Sequence, residues 1–394
     1  MLISLPFALE LRMPSLWNTM SSAASFLDRF LPSVAVEPQV LCANPQLKNL
    51  ISGSISRPRL RFPWLLSSAL LQMLLCRHTF KHRRKYIQYD RKIIRVDSGD
   101  VIALDWLRGQ EDLPLDAPIA VISPTLVGKG DDVREYAEEL AKQGFRVVVV
   151  QRRGHSGLPL ESHSWNLMGN TKDLRVGVAT VHERHPNAHI TLMGVSAGCG
   201  IVIRYLSEEA ENSNAIPITG AVLICPGWDL NVTWQHMNLA ISMYFALQIR
   251  SKVLWKHRDV LRHAPAFWRA MIFGNTMPRL YRLLYGVAGF PDYESFAAFS
   301  DPVANMHKVT KVTIIVFNNK DDYACPWKSV QPESIMRQPN TALVWLPKCG
   351  SHLGGYTSWQ TQKGGTVNWG AENAARFLKA LVDKAQRAQT LQLA

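Results

Sequence analysis

A serine set between two glycines, Gly194-Val195-Ser196-Ala197-Gly198, is the stretch of this chain with the clearest chemical potential. A serine hydroxyl is inert at neutral pH unless a base takes its proton, and that base needs a third group to fix its tautomer. Both are available downstream. His352 lies in Gly350-Ser351-His352-Leu353-Gly354-Gly355, where small neighbours let an imidazole approach closely. Asp321 and Asp322 precede Pro326 and either carboxylate can orient the base; we take Asp322 as the acid and expect Asp321 to brace its loop. Serine, acid, histidine is the chain order expected when the serine stands at a strand-to-helix turn. The oxyanion of such a reaction needs two N–H donors. One is Ala197, which follows the serine, and the other comes from the loop Pro124 to Gly130, with Leu126 as the candidate.

The elements around these residues must carry them to one place. His189 to Met193 reads as a buried strand and Cys199 to Leu206 as a helix, which puts Ser196 in the turn between them. Other short apolar runs are Pro118 to Ser123, Arg146 to Gln151, Thr219 to Cys225, Val312 to Phe317 and Thr341 to Leu346. A hairpin is expected from Lys92–Val96 and Val101–Trp106 around a turn at Asp97-Ser98-Gly99-Asp100. Helical patterns run over Val133–Gln143, Asp173–His185 (with Asn170 or Thr171 as N-cap) and Asn368–Gln386. Short buried strands alternating with helices predict a mostly parallel sheet of about eight strands, covered on both faces. Ligands of such sheets bind beyond the carboxyl ends of the strands, where Ser196, Asp322 and His352 all fall.

The balance of 44 Lys+Arg against 31 Asp+Glu gives a net charge of +13 in 394 residues. No zinc-finger spacing, RNA-recognition signature or P-loop accompanies it, so nucleic acid is not an expected partner. Much of the charge is local, from Arg77 to Arg95, and either meets phospholipid or is a solvated segment. The apolar stretch Phe62 to Cys76 has fifteen residues, short of the roughly 20 that cross a bilayer. It reads as a buried or interfacial helix, and the N-terminal region as a peripheral membrane contact. Six scattered cysteines without a C-x-x-C pair fit a reducing compartment. With no secretory signal and no spanning segment, an intracellular, membrane-associated protein is expected. His236, His257 and His263 have no ligand-spaced partner, so neither a metal nor any other cofactor is expected.

From about Leu70 to Trp359 the chain resembles the alpha/beta-hydrolase-domain esterases and lipases, the branch with fungal medium-chain ethyl ester synthase/esterases and animal monoacylglycerol lipases and phospholipases. The resemblance rests on Asp97-Ser98-Gly99-Asp100 to Asp105-Trp106, on Arg152 to Leu160, on Gly194 to Gly198, on Asp321-Asp322 with Pro326, and on Gly350-Ser351-His352. It implies the alpha/beta-hydrolase fold, with Ser196 as nucleophile, Asp322 as acid and His352 as base. The chain departs from the family at Pro124-Thr125, where His-Gly or Pro-Gly is usual, and at Cys199, where a second glycine is usual.

We therefore expect a lead-in over 1–85, a hydrolase domain over 86–390 and a helical cap inserted at 228–311. The cap is rich in aromatic residues and Met, a composition suited to an acyl chain. The activity expected is hydrolysis or transfer of acyl groups of lipid-derived carboxylic esters. The competing reading is a catalytically silent lipid-binding or scaffold protein that keeps the fold.

Overall fold

The computed structural model describes residues 22–23, 26, 30–83, 86–96, 99–163, 165, 170–302, 306–359 and 368–393. The apolar residues of the first twenty positions lie outside that set, as do Asp97 and Ser98 of the expected hairpin turn and Arg84 and Lys85 of the basic segment. Strands β1 (Val34–Val36) and β3 (Leu60–Phe62) form a small antiparallel pair. Among the described residues the main sheet has nine strands: β2 (Gln39–Cys42), β4 (Tyr89–Arg95), β5 (Val101–Leu107), β6 (Ile119–Ser123), β7 (Arg146–Gln151), β8 (Ile190–Val195), β9 (Ile218–Ile224), β10 (Ile314–Asn319) and β11 (Thr341–Leu346). Their order is β2-β11-β10-β9-β8-β6-β7-β5-β4. The run from β11 to β7 is parallel, and β2, β5 and β4 close its two sides antiparallel.

The central strands β6, β7 and β8 are mainly apolar because both faces are covered, whereas the edge strand β4 is charged and largely exposed. Along β6, β7 and β8, alternate residues enter different cores. Ala120, Ile122, Val147, Val149, Met193 and Val195 face one. Ile119, Val121, Val148, Val150 and Leu192 face the other. The first core is closed by α1 (Pro45–Ser54), α2 (Ala69–Arg83), α3 (Arg134–Lys142) and, further along the chain, the helix Trp369–Leu393. The second is closed by α4 (Lys172–Arg184) and α5 (Gly198–Glu209).

Between β9 and β10 the chain leaves the sheet, and among the described residues this stretch holds the α-helices α6 (Leu230–His236), α7 (Leu239–Ile249), α8 (Arg258–Leu261), α9 (Phe267–Phe273), α10 (Met277–Val287) and α11 (Tyr293–Ser300), with a π-helical turn at Arg250–Leu254. They build most of a third core, in which Trp234, Phe267, Tyr281 and Leu284 are buried. Leu126 and Ala324 belong to that core and Ala197 packs against it, so the inserted helices stand over the rim that carries the serine.

Among the described residues the main sheet comprises the eight strands read from the sequence and β2. Residues 30–83 supply that strand and part of the support of the rim. β2 pairs antiparallel with β11, and Gln72 of α2 is wholly buried against the loop after β11. The apolar segment from Phe62 divides into a strand end, a 3-10 turn at Leu65–Ser67 and the start of α2. Among the described residues, no helix is long and apolar enough to cross a membrane.

Candidate active site

The serine turn is a consequence of backbone crowding. Ser196 is held at φ 54°, a left-handed conformation that costs a non-glycine residue energy and persists only where its surroundings dictate it. Its N–H donates to the Ile224 carbonyl at 2.8 Å, and its own carbonyl accepts from Cys199 N–H at 3.0 Å. A Cβ at Gly194 would lie 2.6 Å from the Cys199 Cα, and one at Gly198 would lie 2.1 Å from the Ser123 carbonyl oxygen. Only hydrogen fits at either position. The close approach at Gly198 also brings the loop after β6 against the turn.

His352 follows β11 and Asp322 follows β10, neighbouring parallel strands that deliver their loops to the same rim. His352 Nε2 is 3.0 Å from Ser196 Oγ, and its Nδ1 is 2.9 Å from Asp322 Oδ2. The other carboxylate oxygen, Oδ1, accepts from Ala324 N–H at 2.7 Å and Cys325 N–H at 2.8 Å. Asp322 thus has a fixed carboxylate plane, with one oxygen left for the imidazole. An ionised Asp322 selects the tautomer with the proton on Nδ1, which leaves Nε2 as the acceptor facing the serine.

The two adjacent acids do different work. Asp321 Oδ1 accepts from Gly350 N–H at 3.1 Å and Ser351 N–H at 2.9 Å, so it holds the histidine loop from beneath. Burial pushes its carboxyl above the ordinary value, against those two donors, which pull it down. That loop needs holding, since Cys349, Ser351 and Leu353 all have positive φ. Asn319 braces the same loop by donating to the Ser351 carbonyl at 2.8 Å. A Cβ at Gly350 would meet the Asn319 side chain at 2.2 Å. Gln72 of α2 completes the support, donating to the Tyr356 carbonyl at 2.8 Å and accepting from Gly355 and Tyr356 N–H at 3.0 and 2.9 Å. Neither Asn319 nor Gln72 has a sequence signal pointing to this role.

The expected oxyanion donors share one corner. Leu126 lies in the cap core against which Ala197 packs, and among the described residues neither N–H donates to a protein acceptor. A backbone N–H near a serine with no protein acceptor is free to meet an incoming oxygen. Cys199, one of the chain's two departures from the family, is buried, and its thiol donates to the Ile224 carbonyl at 3.3 Å.

Cys225, Asp322 and His352 place donor atoms within 4.8 Å of one another, the one cluster among the described residues with a metal-compatible donor set. Burial holds the Cys225 thiol well above its ordinary value, helped by the Asp322 charge, so it is a neutral S–H at physiological pH. The carboxylate and imidazole are already hydrogen-bonded to each other at 2.9 Å, the arrangement of a histidine with an orienting acid. His257, on the cap, has its Nε2 2.7 Å from the Gly154 carbonyl and ties the cap to the loop after β7. His236 is bonded to its own helix, through Val232, and His263 is exposed next to Arg262.

The chain is similar to several known proteins. A family model described as serine aminopeptidase, S33 (Hydrolase_4) matches residues 121–271. The embryogenesis-associated protein EMB8 of Picea glauca is 25% identical over 337 residues, spanning 80% of this chain and 71% of that protein. Phospholipase ABHD3 of Bos taurus is 23% identical over 346 residues, spanning 82% and 80%. Medium-chain fatty acid ethyl ester synthase/esterase 2 of Saccharomyces cerevisiae is 31% identical over 295 residues, spanning 67% and 62%. With a mostly parallel sheet, helices on both faces and a serine at the strand-to-helix turn, this chain belongs to the alpha/beta-hydrolase-domain family of serine hydrolases.

Proposed function

We propose that this protein hydrolyses carboxylic esters of lipid origin, with Ser196 as nucleophile. The observation that carries the reading is His352, which bridges Ser196 Oγ at 3.0 Å and Asp322 at 2.9 Å. As Ser196 attacks the ester carbonyl, its proton passes to Nε2 of His352. The Asp322 carboxylate stabilises the imidazolium through Nδ1, and Leu126 and Ala197 N–H receive the oxyanion. Collapse of the tetrahedral intermediate sends the proton from His352 to the leaving alkoxide and leaves an acyl-Ser196. Water, activated by the same imidazole, returns the acid and free serine. An alcohol in place of that water gives ester transfer on the same groups, the reaction class named for the yeast relative.

Two features support a lipid source. The cap over the rim has a core of aromatic and aliphatic side chains, and a phospholipase and a fatty acid ethyl ester synthase/esterase are among the relatives. The cap also has an outward apolar stripe. Leu239, Met243 and Leu247 recur every four residues along α7 and are 64%, 51% and 47% exposed. Arg77 of α2 hydrogen-bonds Tyr244 of α7 and lies 5.3 Å from its ring centroid, and on α2 Leu70 and Leu74 are exposed too. Residues 239–290 contain eight Lys or Arg and one Asp. An apolar stripe in a basic surround suits the surface of an anionic bilayer, and we propose peripheral contact there. A panel of p-nitrophenyl esters and phospholipids of graded chain length tests the activity. Turnover by the native protein with none by Ser196→Ala supports it, and equal rates in the two proteins overturn it.

A further inference from the structure

Two N–H groups must be aimed at one point beside Ser196, and nothing in a residue's type aims its backbone. Ala197 is aimed by the turn itself. Leu126 lies on a loop that leaves β6 at Ser123 and belongs to no strand or helix. Part of its support is local: the Thr125 carbonyl accepts from Gly128 N–H at 3.0 Å. That turn is too tight for a side chain at 128, since a Cβ there would sit 2.6 Å from the Thr125 oxygen. The rest comes from Arg152, the first residue beyond β7. Its Nη2 donates to the Thr125 carbonyl at 2.6 Å and to the Leu126 carbonyl at 3.2 Å.

We infer that Arg152 is a positioning residue for the oxyanion site, gripping the Thr125 carbonyl so that the Leu126 N–H points at the substrate's carbonyl oxygen. The inference rests on the ester-hydrolase reading given above. The Thr125 carbonyl and the Leu126 N–H are the two ends of one planar peptide unit and point in opposite directions. Fixing the oxygen therefore fixes the direction of the hydrogen. Holding the next carbonyl with the same nitrogen stops the unit from rotating. A charged donor on the oxygen also polarises the amide and strengthens the N–H as a donor, most of all in a dry site.

Arg152 is 2% exposed. Burial draws its pKa down to about 10, opposed by Asp173, so the side chain keeps its charge at neutral pH. Its neighbour explains how the grip is anchored. Arg153 donates to Asp173 at 2.7–3.0 Å through its backbone and side chain and to Asp100 at 3.0 Å. His257 of the cap then holds the Gly154 carbonyl. One arginine moors the segment to buried carboxylates, and the other reaches across to the oxyanion loop.

The test uses Arg152→Gln and Arg152→Lys, assayed with a short soluble ester and with a trifluoromethyl ketone that forms a tetrahedral adduct on the serine. Deleting an oxyanion donor outright lowers kcat by roughly 10²–10³. Misaiming one should lower it by about 10–100-fold in Arg152→Gln, with KM unchanged and ketone affinity reduced by the same factor. Arg152→Lys, which keeps the charge but grips one carbonyl at a time, should fall between the Gln variant and the native protein. A folded Arg152→Gln with native kcat and native ketone affinity overturns the inference, as does a loss confined to KM. Should the Gln variant not fold, the Lys variant decides: unchanged kcat and ketone affinity overturn the inference, and a matched reduction in both supports it. A native protein inert toward esters and ketone alike sinks the ester-hydrolase reading and the inference with it. An active native protein with indifferent Arg152 variants sinks the inference alone.

Discussion

The rim of the sheet and the cap above it are built on opposite principles. At the rim, positions are over-determined: Ser196, Ser351 and Leu353 hold positive φ, Gly194, Gly198 and Gly350 admit no Cβ, and Asp321, Asn319 and Gln72 support the histidine loop from three elements. In the cap, helices of four to eleven residues share a modest core, and several of their largest apolar side chains, Leu239, Met243, Trp268 and Phe273 among them, face outward. The contrast teaches a division of labour. Chemistry needs side chains fixed to within fractions of an ångström, which strain and buried hydrogen bonds provide. On the function proposed above, an apolar substrate or membrane surface would meet the outward apolar side chains of the cap.

Substitutions at the rim should therefore show large effects from small changes. Asp322→Asn keeps the shape but reverses the preferred imidazole tautomer, and kcat should fall by about 10⁴. Asp321→Ala, one residue away, removes two loop hydrogen bonds and no proton partner. It should cost about 1–3 kcal/mol of stability and no more than roughly tenfold in kcat. Steady-state kinetics and urea melts on the pair distinguish the two roles, and equal kinetic losses would break the distinction. Gly198→Ala should destabilise by about 1–3 kcal/mol through overpacking against the Ser123 carbonyl, read as a lower urea midpoint.

The loop after β7, which joins rim to cap, should show itself in pH dependence. Burial lowers His155 from the ordinary value to about 3, and the Arg152 charge beside it acts in the same direction. The unfolded chain therefore takes up the proton first as pH falls below about 6.5. Stability from this group is fully present above pH 6.5 and declines by up to about 1.4 kcal/mol per unit below it. Urea melts between pH 7 and 5 should show that slope, and His155→Asn should flatten it. In the cap, replacing Leu239, Met243 and Leu247 together by Ser should leave hydrolysis of a short soluble ester within about twofold, since exposed sites contribute little to the fold. The same variant should lose most binding to anionic vesicles, measured by co-sedimentation. Unchanged vesicle binding would remove the functional half of the contrast.

How much of this was legible before the coordinates follows from the same contrast. β7 and β11 are buried on both faces, so Val147 to Val150 and Thr341 to Leu346 announce themselves as unbroken apolar runs. β2 is four partly exposed residues on the sheet's edge, paired with a strand some 300 positions away, and no local pattern marks it. Ser196 and His352 are legible because tight turns demand glycine around them. Asp321 and Asp322 are not separable by type, since the difference lies in which peptide N–H groups each one meets. Gln72 and Arg152 act entirely through contacts made by tertiary folding, so their roles appear only in three dimensions.

The account turns on Ser196 being a nucleophile activated by His352. The most direct measurement is reaction of the folded protein with a fluorophosphonate probe, followed by peptide mass spectrometry. One adduct per chain on the peptide carrying Ser196, absent in Ser196→Ala and strongly slowed in His352→Ala, is the expected result. A folded protein that takes no label, or takes it equally well without the Ser196 hydroxyl, would contradict the account.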